Sequence, residues 1–269
     1  MKKDHLLFLD GKRIAASEKL LLDLAPWQLK GKGAFETILA HDLKAVLSAE
    51  HLKRLNKGLK YLKIKNPCPG KEIAEIITEL LKVNQLRRAR VRAAVWQDKK
   101  GAHCSIVVMP FQDIKKGFKL IVSPKRWPFS SRPSFLKSID YKFFHKAFEQ
   151  AKRRNADEAV ILNRKCEVVE GSRSNIFLVK EGKVMTPPLP SGCLNGITRQ
   201  KVLSLIKRSG LVCQSKNIRI TDLKEADEIF LTNSLIGIKP VASFMGKKKK
   251  RRTALRLMGQ YHRLLKSNL

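Results

Sequence analysis

The chain has 269 residues, 43% of them hydrophobic, enough to bury a substantial core, and it contains no run of eighteen apolar residues that could cross a membrane as a helix. Its formal net charge of +33 favours attraction to polyanions in general. The basic residues are spread along the whole sequence, with one dense cluster at 247–252, and no helix-turn-helix, zinc-finger or aromatic RNA-binding pattern accompanies them, so a specific nucleic-acid partner is not expected.

In chain order, residues 6–9 and 13–15 are expected to form a hairpin around Asp10-Gly11-Lys12, because Asp-Gly supplies the positive-φ positions of a tight turn. Residues 34–39 have strand character, and 43–47 are expected to pair with them across His41-Asp42. Ser48 is the expected cap of a helix in which Leu52, Leu55, Leu59 and Leu62 line one apolar stripe. A second amphipathic helix is expected over 71–83, then strands over 89–97 and 103–110 around a basic turn with Gly101. The pattern breaks at 112–117, which divides the chain into a small N-terminal domain over 1–113 and a larger one over 114–269.

The second half opens with a strand over 120–123, a loop of Ser, Arg and Pro over 127–133, and helical periodicity over 140–155 through Phe144, Ala147, Phe148 and Ala151. Strands are expected over 159–163 and 176–179, with a turn at Glu181-Gly182. A helix over 198–209 has Thr198 to cap it and Gly210 where a C-terminal glycine belongs. Strands at 218–220, 228–231 and 239–244 and a last helix over 252–267 complete a mixed α/β chain with two sheet-centred halves.

The five cysteines are scattered and none forms a C-x-x-C pair, so free thiols in a reducing compartment are expected. The six histidines show no metal-ligand spacing, and no metal is expected. The apolar stretch after the charged start, residues 6–9, is too short for a secretory signal, which predicts a cytoplasmic protein.

Residues with chemistry to offer gather in a few places. Lys137 stands in Phe135-Leu136-Lys137-Ser138-Ile139-Asp140-Tyr141, and Glu170 opens Glu170-Gly171-Ser172-Arg173-Ser174-Asn175-Ile176-Phe177. Gly196-Ile197-Thr198-Arg199 presents backbone N–H groups at an expected helix start, a natural anion site. His51-Leu52-Lys53-Arg54-Leu55 carries an arginine whose planar fork matches phosphate geometry. Ala156-Asp157-Glu158-Ala159, Ala226-Asp227-Glu228 and Asn233-Ser234 complete the set. The order and spacing of these motifs resemble the fold-type IV pyridoxal-phosphate enzymes, the class IV aminotransferase family that includes branched-chain aminotransferase, D-amino-acid aminotransferase and aminodeoxychorismate lyase.

The resemblance implies a two-domain α/β fold, a smaller N-terminal α+β domain and a larger C-terminal sheet or barrel-like domain with helices. It also implies pyridoxal 5'-phosphate as cofactor, a small-molecule substrate and a homodimer. By the same resemblance Lys137 is the Schiff-base lysine and proton carrier. Glu170 partners the pyridine nitrogen and keeps the ring protonated, so that it accepts an electron pair. Arg54, Gly196, Ile197, Thr198 and Ser234 fall to the phosphate, with Ser174 and Asn175 in the cofactor-binding loop.

Three departures from the family's pattern stand out. Lys30-Gly31-Lys32-Gly33 replaces an aromatic-Gly-Asp-Gly stretch, Phe35 stands where some transaminases carry a tyrosine, and Asp140 replaces an asparagine. Asn233-Ser234-Leu235, with Gly237 before Pro240-Val241, resembles aminodeoxychorismate lyase, which predicts conversion of 4-amino-4-deoxychorismate to 4-aminobenzoate and pyruvate, a step of folate biosynthesis. Arg173, Lys99, Lys100 and Lys32, with Phe35 as a pocket wall, are the candidates for that dianionic substrate. The alternatives are a branched-chain or D-amino-acid aminotransferase and, in a different class, a catalytically silent basic binding protein on the same fold.

Overall fold

The computed structural model describes residues 5–68, 70–114, 117–128 and 133–266. These fall into two compact units, residues 5–113 with Phe135–Lys142, and residues 114–134 with 143–266. Phe135–Lys142, placed in the larger domain by the sequence pattern, thus packs with the first unit.

In the first unit, β1 (Leu6–Leu9) and β2 (Lys12–Ala15) form the expected hairpin, with φ of 47° at Asp10 and 85° at Gly11. Helix α1 (Glu18–Asp23), which the sequence pattern did not reveal, is capped by the Ser17 hydroxyl accepting from Leu20 N at 3.1 Å. β3 (Lys32–His41) pairs with β4 (Lys44–Ala45), and α2 (Ser48–Tyr61) follows. Ser48 is the first helical residue and not the cap; Leu47 takes that place in a left-handed conformation with no side-chain bond. α3 (Gly70–Val83), β5 (Arg88–Asp98) and β6 (Gly101–Pro110) complete an antiparallel sheet ordered β2-β1-β6-β5-β3-β4. Leu52, Leu55 and Leu59 bury the α2 stripe against Ile38 and Val91, a burial worth about 1.5–3 kcal/mol per side chain.

The start of β3 has a further neighbour. Phe35 N donates to Lys137 O at 2.9 Å, and Ile139 N donates to Gly33 O at 3.1 Å. The Lys137 segment is therefore held by the sheet's own backbone grammar as a short antiparallel bridge, Ala34 opposite Ser138.

The second unit runs β7 (Phe118–Val122), α4 (Lys142–Arg153), β8 (Glu158–Leu162), β9 (Val168–Gly171), β10 (Asn175–Lys180) and β11 (Lys183–Thr186). Then come α5 (Ile197–Arg208), β12 (Cys213–Ser215), α6 (Ile220–Glu225), β13 (Glu228–Asn233), β14 (Gly237–Phe244), β15 (Lys247–Lys248) and α7 (Arg252–Lys266). The strand expected at 218–220 leads instead into α6, because the Asp222 carboxylate accepts from Arg219 N at 2.7 Å and starts a helical turn. The sheet order is β12-β11-β10-β13-β14-β7-β8-β9, with β15 on β14. Its last strand, β9, turns directly into β10, and Gly171 N donates to Ser174 O at 2.6 Å, so the sheet curls into a half-barrel. Phe177 and Phe230 stack at 4.9 Å in its core.

Candidate functional site

Successive side chains of β3 point to opposite faces, which sends Glu36 toward α2 and turns Phe35 the other way. Glu36 is fully buried, and Arg54 grips it through Nε and Nη2, each 2.7 Å from a carboxylate oxygen. His51, one turn earlier on α2, lies 2.7 Å from the same carboxylate through Nδ1. Burial alone would raise the Glu36 carboxyl; the Arg54 charge and then His51 outweigh it and hold it at about 2. The sequence pattern singled out Arg54 and missed its anchor, since a contact eighteen residues away leaves no periodic signature.

On the other face, the Lys137 amine lies 4.7 Å from the Phe35 ring centroid and 5.3 Å from that of Tyr141. The two rings meet edge to face at 5.3 Å. Lys137 is half-buried, so its amine is presented along an aromatic wall while its backbone is fixed by β3. Lys30, Lys99 and Lys100 are exposed in loop and turn positions, and Lys32 is exposed as the first residue of β3.

In the second unit, Glu170 is the penultimate residue of β9 and Asn175 opens β10, both buried. Glu170 Oε2 accepts from Asn175 Nδ2 at 3.1 Å and from Leu194 N at 3.0 Å. Asn175 Nδ2 also donates to Leu194 O at 2.8 Å, so carboxylate, amide and backbone form one small network. Burial first, and then the Glu170 charge, push the neighbouring Cys193 thiol up to about 11, which keeps it protonated at neutral pH.

The segment leading on from Leu194 ends in the first turn of α5. Gly196 is its N-cap and supplies no side chain; a Cβ there would sit 2.2 Å from Asn175 Oδ1, so only glycine fits. Thr198 was expected to cap this helix. It lies inside the first turn, is 2% exposed, and its hydroxyl has no hydrogen-bond partner among the described residues. A buried hydroxyl without a partner costs about 1–3 kcal/mol, and here it sits beside the amide groups of a helix start, where an anion would satisfy both. Arg199, buried beside it, donates to Pro187 O at 3.1 Å and reaches Asn195 Oδ1 at 3.5 Å, while its Nε has no partner among the described residues. Its position directly after Gly-Ile-Thr was the only sequence signal for it.

Ser172, Arg173 and Ser174 make the turn between Glu170 and Asn175. The Arg173 guanidinium lies 3.4 Å from the Phe148 ring centroid on α4, stacked on that ring. Its carbonyl accepts from Asn233 Nδ2 at 3.0 Å. Asn233 Oδ1 in turn accepts from Leu235 N and Ile236 N at 2.9 and 3.0 Å, folding the half-buried Ser234 into a tight turn. Ser174 faces a buried carboxylate, Glu158, that the sequence pattern quoted without assigning a role. Among the described residues no cluster could hold a metal ion, and no helix is long and apolar enough to cross a membrane.

Residues 33–244 match the sequence profile of the family described as amino-transferase class IV. A protein of Methanocaldococcus jannaschii provisionally named a branched-chain-amino-acid aminotransferase is 33% identical over 90% of this chain and 88% of its own. The branched-chain aminotransferase of Thermoproteus uzoniensis, crystallised with norvaline, superposes with a TM-score of 0.87 at 28% identity, over 98% of this chain and 95% of that one. The T.th. branched-chain amino acid aminotransferase solved with pyridoxamine 5'-phosphate gives a TM-score of 0.84 at 26% identity, over 98% and 94%. A Legionella pneumophila structure provisionally named 4-amino-4-deoxychorismate lyase shares the fold at 24% identity, with a TM-score of 0.77 over 86% and 91%.

Proposed function

Since the chain belongs to the class IV aminotransferase family, we propose that it is a pyridoxal 5'-phosphate-dependent aminotransferase that takes an amino group from a branched-chain amino acid to 2-oxoglutarate. The observation that carries the cofactor reading is the buried Thr198 hydroxyl at the head of α5, without a partner among the described residues, next to a cap position where a Cβ would press on Asn175. That is the donor set a phosphate monoester needs. The reaction itself rests on the relatives: those at 33% and 28% identity carry aminotransferase names.

When bound, pyridoxal phosphate supplies an electron sink for the pair left on the substrate carbon. The residues supply the rest. Lys137 is the amine that holds the cofactor and moves the proton at the substrate carbon. Glu170, oriented by Asn175 and Leu194, keeps a proton on the ring nitrogen. Thr198 and the first amides of α5, with Gly196, Ile197 and Ser234, take the phosphate. Arg54, fixed on Glu36 through Nε and Nη2, is assigned to the phosphate by the family resemblance. Phe35 and Tyr141 flank the Lys137 amine. The working form is a homodimer.

The lyase is the second reading. Its support is the Asn233-Ser234-Leu235 turn with Gly237 before Pro240-Val241. A likeness at 24% identity adds the fold alone. One assay separates the two. Cofactor-loaded protein is given valine, leucine or isoleucine with 2-oxoglutarate, and separately 4-amino-4-deoxychorismate with no keto acid. Glutamate formation that Lys137→Ala abolishes supports the transaminase. Equal amounts of 4-aminobenzoate and pyruvate in the second arm, with no glutamate in the first, would move the assignment to the lyase.

A further inference from the structure

We propose that Glu158 is the positioning residue of the candidate centre: it grips the 171–175 turn and thereby sets the direction of the Glu170 and Asn175 side chains, an inference that rests on Glu170 serving the cofactor ring as read above. Glu158 is the first residue of β8 and is 2% exposed. Its Oε1 accepts from the Ser172 hydroxyl and from Ala159 N at 3.1 Å. Its Oε2 accepts from the Ser174 hydroxyl at 2.9 Å and from Arg173 N at 3.2 Å. The backbone passes hard against the carboxylate. A Cβ on Gly171 would lie 3.1 Å from Glu158 Cγ and Cδ and 2.4 Å from Ser174 Oγ.

Glu170 and Asn175 stand at the two ends of this turn, and Asn175 Nδ2 donates to Glu170 Oε2. Whatever holds the turn therefore holds the angle between them. Burial pushes the Glu158 carboxyl up, and the Ser172 and Ser174 hydroxyls pull the other way. With four donors on it and almost no exposure, it is placed to act through the turn.

The geometry makes glutamine a sharp probe. Each Glu158 oxygen receives one hydroxyl and one backbone N–H. A hydroxyl can reverse and accept; a backbone N–H cannot. Glu158→Gln therefore leaves either Ala159 N–H or Arg173 N–H facing an amide NH₂, while side-chain volume is kept. Ser174→Ala, which removes one hydroxyl, is the milder variant should the first fold poorly.

Amide hydrogen exchange over 171–175 is measured first in cofactor-free protein. Glu158→Gln is expected to speed exchange there about tenfold, the equivalent of one lost hydrogen bond to a charged group, with the rest of the sheet unchanged. In the loaded protein, cofactor affinity is expected to fall about tenfold, and the pH midpoint of the cofactor's visible band to move. Turn amides as protected as in the wild type, with an unmoved band, overturn the proposal. A wild-type protein that takes up no cofactor would sink the cofactor reading instead, and the exchange experiment still decides whether Glu158 holds the turn.

Discussion

Arg54 lays two nitrogens against both carboxylate oxygens of Glu36, each at 2.7 Å, inside the core of the first unit. Planar fork meets planar carboxylate, so the pair fixes the rotation of the arginine as well as its position. Glu36→Gln keeps the volume and strips the charge, leaving Arg54 buried and uncompensated. The expected loss is about 3–5 kcal/mol of stability, read as a drop in the urea midpoint of unfolding.

The same carboxylate sets an acid limit. Its folded value, about 2, lies below the ordinary 4.5, so the stability it contributes is present above that ordinary value and is lost as pH falls from there toward 2. Unfolding midpoints measured across this window should fall in the wild type. The Glu36→Gln variant, already weakened, should show a shallower dependence.

Thr198→Val offers a test with two opposite signs. Removing a buried hydroxyl that lacks a partner among the described residues should raise the stability of the cofactor-free protein by about 1 kcal/mol. Cofactor affinity should fall about tenfold by absorbance titration, since the phosphate then lacks the hydroxyl as a donor. Equal affinity in both proteins would remove Thr198 from the phosphate.

Gly196→Ala should be worse than Thr198→Val for the cofactor and also worse for the fold. The new methyl group would meet Asn175 Oδ1 at 2.2 Å. Asn175 would have to move, and with it the bonds to Glu170 and Leu194. Loss of cofactor binding together with a lowered melting temperature is the expected result of calorimetry and titration.

His103 bridges Asp10 at 2.8 Å and Asp98 at 3.1 Å, with its ring stacked on Trp96. The bond to Asp10, aided by Asp98 and opposed by burial, raises its pKa. A raised histidine contributes stability that is full below its unfolded value near 6.5 and is lost as pH rises through its folded one. NMR titration of the His103 ring should show the elevated midpoint, and Asp10→Asn should lower it.

Local chemistry made part of this molecule readable from sequence. Asp10-Gly11 specified a hairpin, the leucine stripe specified α2, and the run from Ala89 to Pro110 gave two paired strands. The family resemblance on Lys137, Glu170 and Gly196-Ile197-Thr198 agrees with the matched profile over residues 33–244. The choice of lyase over transaminase did not carry: it leaned on a few residues near Ser234, whereas relatives matched over most of the chain bear aminotransferase names. What the sequence hid were side chains acting across strands. Glu158 looks like half of an exposed Asp-Glu pair until the turn after β9 folds over it. Thr198 looks like a cap because threonine usually is one, and only burial reveals that its hydroxyl is unspent. β9 escaped notice because a four-residue strand leaves too short a pattern.

The pairing of β10 with β13 sets Asn175 opposite Thr232, and Asn233 reaches on to the Arg173 carbonyl. The Glu170 turn and the Ser234 turn are thereby locked to a common ruler. An inserted residue inside either strand would swing Asn175 to the wrong side of the sheet. At the opposite ends of these strands the Asp227 carboxylate accepts from Glu181 N at 3.0 Å, a tie across that rim. Descendants of this protein must therefore let the two turns drift together or not at all.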